Sequence, residues 1–138
     1  MKESLDSILI SKDLLAEIIS HCREVYPKEA CGILGGKSDT IKKIYKSINV
    51  DDSSVTFRIE PFQVLKNLKQ NGLEMMAVYH SHPYSESYPS LIDVERASEP
   101  DSAYVSTYVI VSLVHEEPEV RVFVISDRKV REIELIIS

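Results

Sequence analysis

The sequence predicts an α+β domain, or an α/β domain with a mixed sheet, in three layers at most. Strand-like segments outnumber helical ones, most strands follow one another as hairpins, and amphipathic helices fall between some of them. With 138 residues, 43% of them hydrophobic, the chain has the length of one domain, residues 1–138, around a single sizeable core.

The elements follow in order. Residues 11–25 form an amphipathic helix, because Leu14, Leu15, Ile18, Ile19, Cys22 and Val25 recur at helical spacing. Ser11 caps its first turn, Asp13 complements its dipole and Pro27 lies just past its end. His21 and Cys22 fall on or beside the apolar face and read as core or interface residues. Residues 31–36 form a short strand rich in small residues. Residues 41–50 form another, whose register the apolar pattern leaves ambiguous, and residues 55–60 alternate cleanly as a third. Asp51-Asp52-Ser53-Ser54 makes the turn of a hairpin between those two. Residues 61–72 read as a helix opened by Pro61 and ended by Gly72. A very apolar strand covers 75–82, a Ser/Tyr/Pro loop 83–89 and a short helix 91–99. Strands at 104–114, 120–126 and 130–137 close the chain.

Composition narrows the function. Sixteen Lys and Arg stand against 22 Asp and Glu, a net charge of −6, so the broad positive field that nucleic acid binding needs is missing. Lys37, Lys42, Lys43 and Lys46 gather locally and read as the solvated face of a strand. No apolar run matches a signal peptide or a membrane span. Two cysteines without a secretory signal fit a cytoplasmic protein with reduced thiols.

The chemistry concentrates in His80-Ser81-His82-Pro83 and the residues after it. A strand has a side-chain period of two, so His80 and His82 share one face and Ser81 takes the other. Two imidazoles side by side at a strand end are a natural pair of metal ligands. Pro83 stops the strand, the loop returns at Ser90, and Asp93 lies one turn into the next helix. His80, His82 and Asp93 make a nitrogen–nitrogen–oxygen set of the open catalytic type, with a fourth position left for water. Ser90 and Asp93 also fit a capping box, which accounts for both without a metal; the two roles are compatible. Ser81, Ser85 and Ser87 read as ordinary strand and loop residues. A hydrolytic site needs a general base, and Glu29, just ahead of the glycine-rich strand, is the candidate, although spacing alone does not select it from the other glutamates.

Other motifs fail. Gly35-Gly36-Lys37-Ser38 looks like the tail of a phosphate loop, but Cys31 stands where such a loop needs glycine, and a strand follows rather than a helix. His115-Glu116-Glu117-Pro118-Glu119 lacks the second histidine of a His-Glu-x-x-His zinc site, and Pro118 breaks the helix that site requires. No Pro-Cys-x-x-Cys deaminase motif or Gly-x-Ser-x-Gly elbow exists. Cys31, in an apolar run, reads as an inert thiol.

Glu29 in the setting Glu-Ala-Cys-Gly-Ile-Leu-Gly-Gly, followed some fifty residues later by His80-Ser81-His82-Pro83, six residues, Ser90, two residues and Asp93, resembles the JAMM (MPN+) metalloprotease family. Every position of the family pattern is filled, over essentially the whole chain. The resemblance implies a curved mixed sheet flanked by helices, similar to cytidine deaminases, and a zinc-dependent peptidase or isopeptidase. It implies one zinc per chain held by His80, His82 and Asp93, Glu29 as general base and then acid, and Ser90 helping to hold the oxyanion. The chain is too short for the insertions of deubiquitinating members and resembles the compact prokaryotic ones, which implies a ubiquitin-like or sulfur-carrier protein ending in Gly-Gly as partner. Such a tail suits a narrow groove beside a sheet edge. Tyr84 and Tyr88, in the loop beside the site, are read both as loop packing and as substrate contacts. A scaffold module without catalysis and a zinc amidohydrolase acting on a small molecule are the alternative functions. Oligomeric state is left open.

Overall fold

A computed structural model describes residues 5–47, 49, 53, 62–98 and 105–138. The elements run β1 (Ser7–Ile10), α1 (Lys12–Val25), β2 (Cys31–Lys37), β3 (Thr40–Ser47), α2 (Phe62–Gln70), β4 (Glu74–His82), α3 (Leu91–Ala97), β5 (Thr107–Ser112), β6 (Glu119–Ser126) and β7 (Lys129–Ile137). The mixed, helix-flanked sheet is as expected. Its curvature is carried to closure: the described strands form a barrel in the order β1-β3-β2-β4-β5-β6-β7, with β1 also pairing β7 in parallel. The closing strand, Ser7–Ile10, is one that the periodicity does not single out. The expected strand 55–60 and its hairpin with 41–50 lie outside the described residues, apart from Ser53. Residues 40–47 pair antiparallel with β2, and that pairing sets the register the apolar pattern left open.

Local chemistry explains the connections. Ser11 caps α1, its side chain accepting from the Leu14 amide at 3.1 Å. Asp127 and Arg128 both have positive φ, 55° and 62°, giving the two-residue turn whose twist suits the β6–β7 hairpin. Gly72, at φ 67°, ends α2 in a conformation that side chains avoid.

The core has two parts, one on each face of the central strands. Ala77 and Tyr79 of β4, with Val109 and Val111 of β5, pack toward α1 and its Ile18 and Cys22. Val78, Tyr108 and Ile110 face the other way, with Leu68 of α2 and Val94 of α3. This alternation places His80 and His82 on the α3 side of β4 and Ser81 on the α1 side. Gly32 lies opposite Tyr79, and a Cβ there would sit 2.2 Å from the Tyr79 ring. The bare backbone lets the ring lie flat against β2, where its hydroxyl meets Nδ1 of the buried His21 at 2.6 Å. Lys37, Lys42, Lys43 and Lys46 are exposed, as expected of a solvated strand face. Among the described residues, no helix is long and apolar enough to cross a membrane.

Candidate metal centre

β4 delivers two candidate ligands and α3 the third. His80 and His82 end a strand whose period of two puts both rings on one face, and Asp93 sits in the first turn of α3 above them. Nε2 of His80 and Nε2 of His82 are 3.1 Å apart, and each approaches Oδ2 of Asp93, at 3.2 and 3.0 Å. All three side chains are buried. A tetrahedral ion with bonds of about 2.0–2.1 Å separates its ligand atoms by about 3.3 Å, close to this triangle. Asp93 is aimed by the capping box: Ser90 N–H donates to its Oδ2 at 2.9 Å, and the Asp93 amide donates to Ser90 Oγ at 3.0 Å. The capping box and the candidate ligand cluster therefore coexist, since one carboxylate oxygen of Asp93 takes part in both.

The tautomer of His82 follows from its neighbour. Its Nδ1 lies 2.7 Å from the carbonyl oxygen of Glu86, which can only accept, so Nδ1 carries a proton. Nε2 then faces the carboxylate with either a lone pair or a second proton. Burial disfavours the charged ring, yet the hydrogen bonds to Asp93 and Glu86 outweigh it and raise the His82 pKa. The proton drawn to this position occupies the place a cation would take, and a backbone carbonyl on the far nitrogen is the usual support of a metal-binding histidine. Burial lowers the pKa of His80, keeping that ring neutral and its nitrogen available as a ligand. Burial alone would raise that of Asp93, but the two histidines and the Ser90 amide hold it well below the ordinary carboxylate range. With the His82 Nε2 proton displaced by a cation, two imidazoles and an ionised carboxylate would make the donor set for a borderline divalent ion, so the residues fit such an ion.

Glu29 stands across from this cluster. The antiparallel pairing of Cys31 with His80 extends, through Ala30 and Ser81, to place Glu29 opposite His82 on the same face. Its side chain is 3% exposed and Oε1 accepts no hydrogen bond. Burial pushes its carboxyl up to about 8, with the charges of His82, Asp93 and Arg96 acting as smaller influences.

The two loop tyrosines part company. Tyr84 packs edge-on against Tyr26 beyond α1, whereas Tyr88 packs edge-on against Phe123, with the Arg121 guanidinium over its ring. Both remain about half exposed. The loop between them is pinned at consecutive residues. Ser85 accepts from Ser112 Oγ at 2.6 Å, the Glu86 carbonyl accepts from His82, and the buried Ser87 hydroxyl donates to Glu119. Sequence reasoning passed over Ser112, Glu119 and the buried roles of Ser81 and Ser87. Their partners are distant in the chain, and no spacing signals them.

Fold and cluster together define a class: a closed, mixed α+β barrel with a cluster that could hold a metal ion at the end of its central parallel strand pair. Residues 11–126 match the family described as prokaryotic homologs of the JAB domain, and the chain belongs to that family, in keeping with the JAMM resemblance of its motif. It is 34% identical over 103 residues to the CysO-cysteine peptidase of Mycobacterium tuberculosis, covering 71% of this chain and 70% of that protein. It is also 34% identical over 106 residues to the desampylase of Haloferax volcanii, covering 70% of this chain and 76% of that one. The solution structure of a protein from Desulfitobacterium hafniense superposes with a TM-score of 0.84 at 32% identity, over 95% of this chain and 92% of that one.

Proposed function

We propose that this chain is a zinc-dependent metallopeptidase or isopeptidase that cuts the bond after the Gly-Gly tail of a ubiquitin-like or sulfur-carrier protein. The observation that carries the reading is the convergence of His80 Nε2, His82 Nε2 and Asp93 Oδ2 within 3.0–3.2 Å of one another, beside a buried carboxyl. Two imidazoles and one carboxylate are the ligand type of open zinc sites, one zinc per chain. Bound there, zinc supplies the Lewis acidity that makes the attacking water acidic at neutral pH and polarises the scissile carbonyl.

The rest of the work falls to the chain. Glu29 takes a proton from the attacking water and hands it to the leaving amine, so one carboxyl serves as base and then acid. Its burial raises the basicity of the carboxylate toward the attacking water, and the ionised form that the first duty requires would be favoured by a cation held by His80, His82 and Asp93. Ser90 Oγ already accepts the Asp93 amide, which leaves its hydroxyl proton to donate to the developing oxyanion. The buried cluster excludes bulk water and strengthens each of these interactions.

The substrate class is carried over from the relatives, which are named a CysO-cysteine peptidase and a desampylase. A tail without side chains suits a site beside a pinned loop, and the half-exposed Tyr84 and Tyr88 of that loop are the candidate substrate contacts. We read residues 1–138 as one domain, since β1 pairs with β7 from the far end of the chain. Cys22 and Cys31 are buried thiols that are not joined in a disulfide, which fits a reducing compartment such as the cytoplasm.

The test is to present the zinc-loaded protein and its Glu29→Gln variant with carrier fusions joined through Gly-Gly to cysteine, lysine or a peptide, beside simple amides. The wild type is expected to cut the fusions and spare the amides, and the variant to keep its zinc and cut neither. Cleavage by the variant at the wild-type rate removes Glu29 as the base. Cleavage of the amides alone makes the protein an amidohydrolase instead, and zinc binding without any cleavage makes it a scaffold.

A further inference from the structure

Nothing bonded to Oε1 steers the Glu29 carboxyl, so its place relative to the metal cluster is inherited from its backbone. That backbone is held by side chains from two other segments. On one side, the Ala30 N–H donates to Ser81 Oγ at 2.8 Å, and the Ser81 N–H donates back to the Ala30 carbonyl at 3.0 Å. On the other, the Glu29 N–H donates to the Ser53 carbonyl at 2.7 Å. Asn49 Nδ2 donates both to the Glu29 carbonyl, at 3.2 Å, and to the Ser53 carbonyl, at 3.3 Å. Ser81 is fully buried, so no water replaces its hydroxyl if it is removed. It also stands between His80 and His82 on the opposite face of β4. The strand end that presents the two imidazoles therefore grips, with its third side chain, the peptide that carries Glu29.

We propose that Ser81 and Asn49 are positioning residues for Glu29, the two halves of a clamp that fixes the distance between the carboxyl and the metal cluster. The inference rests on the reading of Glu29 as general base. Neither residue touches substrate in this account; each acts through the Glu29–Ala30 backbone. A displacement of about an ångström at a reacting group costs up to about a hundredfold in rate, so loss of either half of the clamp should show in kcat.

The experiment measures kcat, KM, zinc content and melting temperature for the full chain, loaded with zinc, on a Gly-Gly-linked carrier fusion. The variants are Ser81→Ala, Ser81→Thr, Asn49→Ala and Glu29→Gln. Ser81→Ala and Asn49→Ala are expected to lose between about 10- and 100-fold in kcat, with KM unchanged and one zinc per chain retained. Ser81→Thr, which keeps the hydroxyl, is expected to recover to within about threefold of wild type. A melting temperature that falls while kcat stays at the wild-type value overturns the proposal, because the bonds would then be structural only. Loss of zinc in step with loss of kcat also overturns it, since the damage would lie in the ligand strand. If Ser81→Ala does not fold, Asn49→Ala decides, because Asn49 is remote in sequence from the ligands; a wild-type kcat there ends the proposal. An active Glu29→Gln variant is a separate outcome that removes the general base itself.

Discussion

Glu29 illustrates how far one side chain can be read in two currencies, rate and stability. With the metal stripped away, its carboxyl has a folded pKa of about 8 against an ordinary value of 4.5. Below that ordinary value both folded and unfolded chains hold the proton. As pH rises toward the folded value, the unfolded chain ionises while the folded one does not, so the folded state loses ground; above it the loss levels off. Stripped Glu29→Gln lacks this slope. Between about pH 5 and pH 8, denaturant unfolding should show stripped wild type losing on the order of a few kcal/mol relative to stripped Glu29→Gln. Parallel curves for the two proteins would mean that the carboxyl is not held in a dry place. Ser90 gives a second prediction at this scale. Ser90→Ala removes the oxygen that caps α3, at a cost of about 1 kcal/mol. It leaves the backbone N–H that aims Asp93, so zinc content should hold. The missing hydroxyl proton should lower kcat by about 10²–10³. Full activity with a lowered melting temperature would leave Ser90 the cap alone.

At the scale of elements, β4 and α3 were legible because their chemistry is written at short range. His80 and His82 share a face by the period of a strand, and Asp93 reaches back by one helical turn. The start of α1 at Ser11 and the end of α2 at Gly72 were legible for the same local reasons. The partnership between β2 and β4 was not. Gly32 looks like any small residue in a glycine-rich strand, and only the fold shows the Tyr79 ring lying on it. Gly32→Ala must push that ring away and break the 2.6 Å bond between Tyr79 and the buried His21. The expected cost is about 1–3 kcal/mol in denaturant unfolding. An unchanged midpoint would show that the close approach of β2 and β4 is not needed.

The whole molecule depends on contacts that no local pattern announces. Ser7–Ile10 is four residues long, and it closes the barrel by running parallel to β7 from the other end of the chain, so neither turn residues nor periodicity mark it. Ser81 holds Ala30 across 51 residues of sequence. The candidacy of Glu29 as general base came only through the family motif, because its burial and its place opposite His82 are products of that long-range pairing. The convergence of His80, His82 and Asp93 needed no such help. All these contacts serve one arrangement, two imidazoles and two carboxyls gathered at the end of β4, and the central claim is that this arrangement works only with a metal ion. The measurement that tests it most directly is cleavage of a Gly-Gly-linked carrier fusion by the stripped protein as zinc is added back. The account predicts no cleavage without zinc and a rise that saturates at about one equivalent per chain. Cleavage that survives stripping undiminished, or that ignores added zinc, would contradict it.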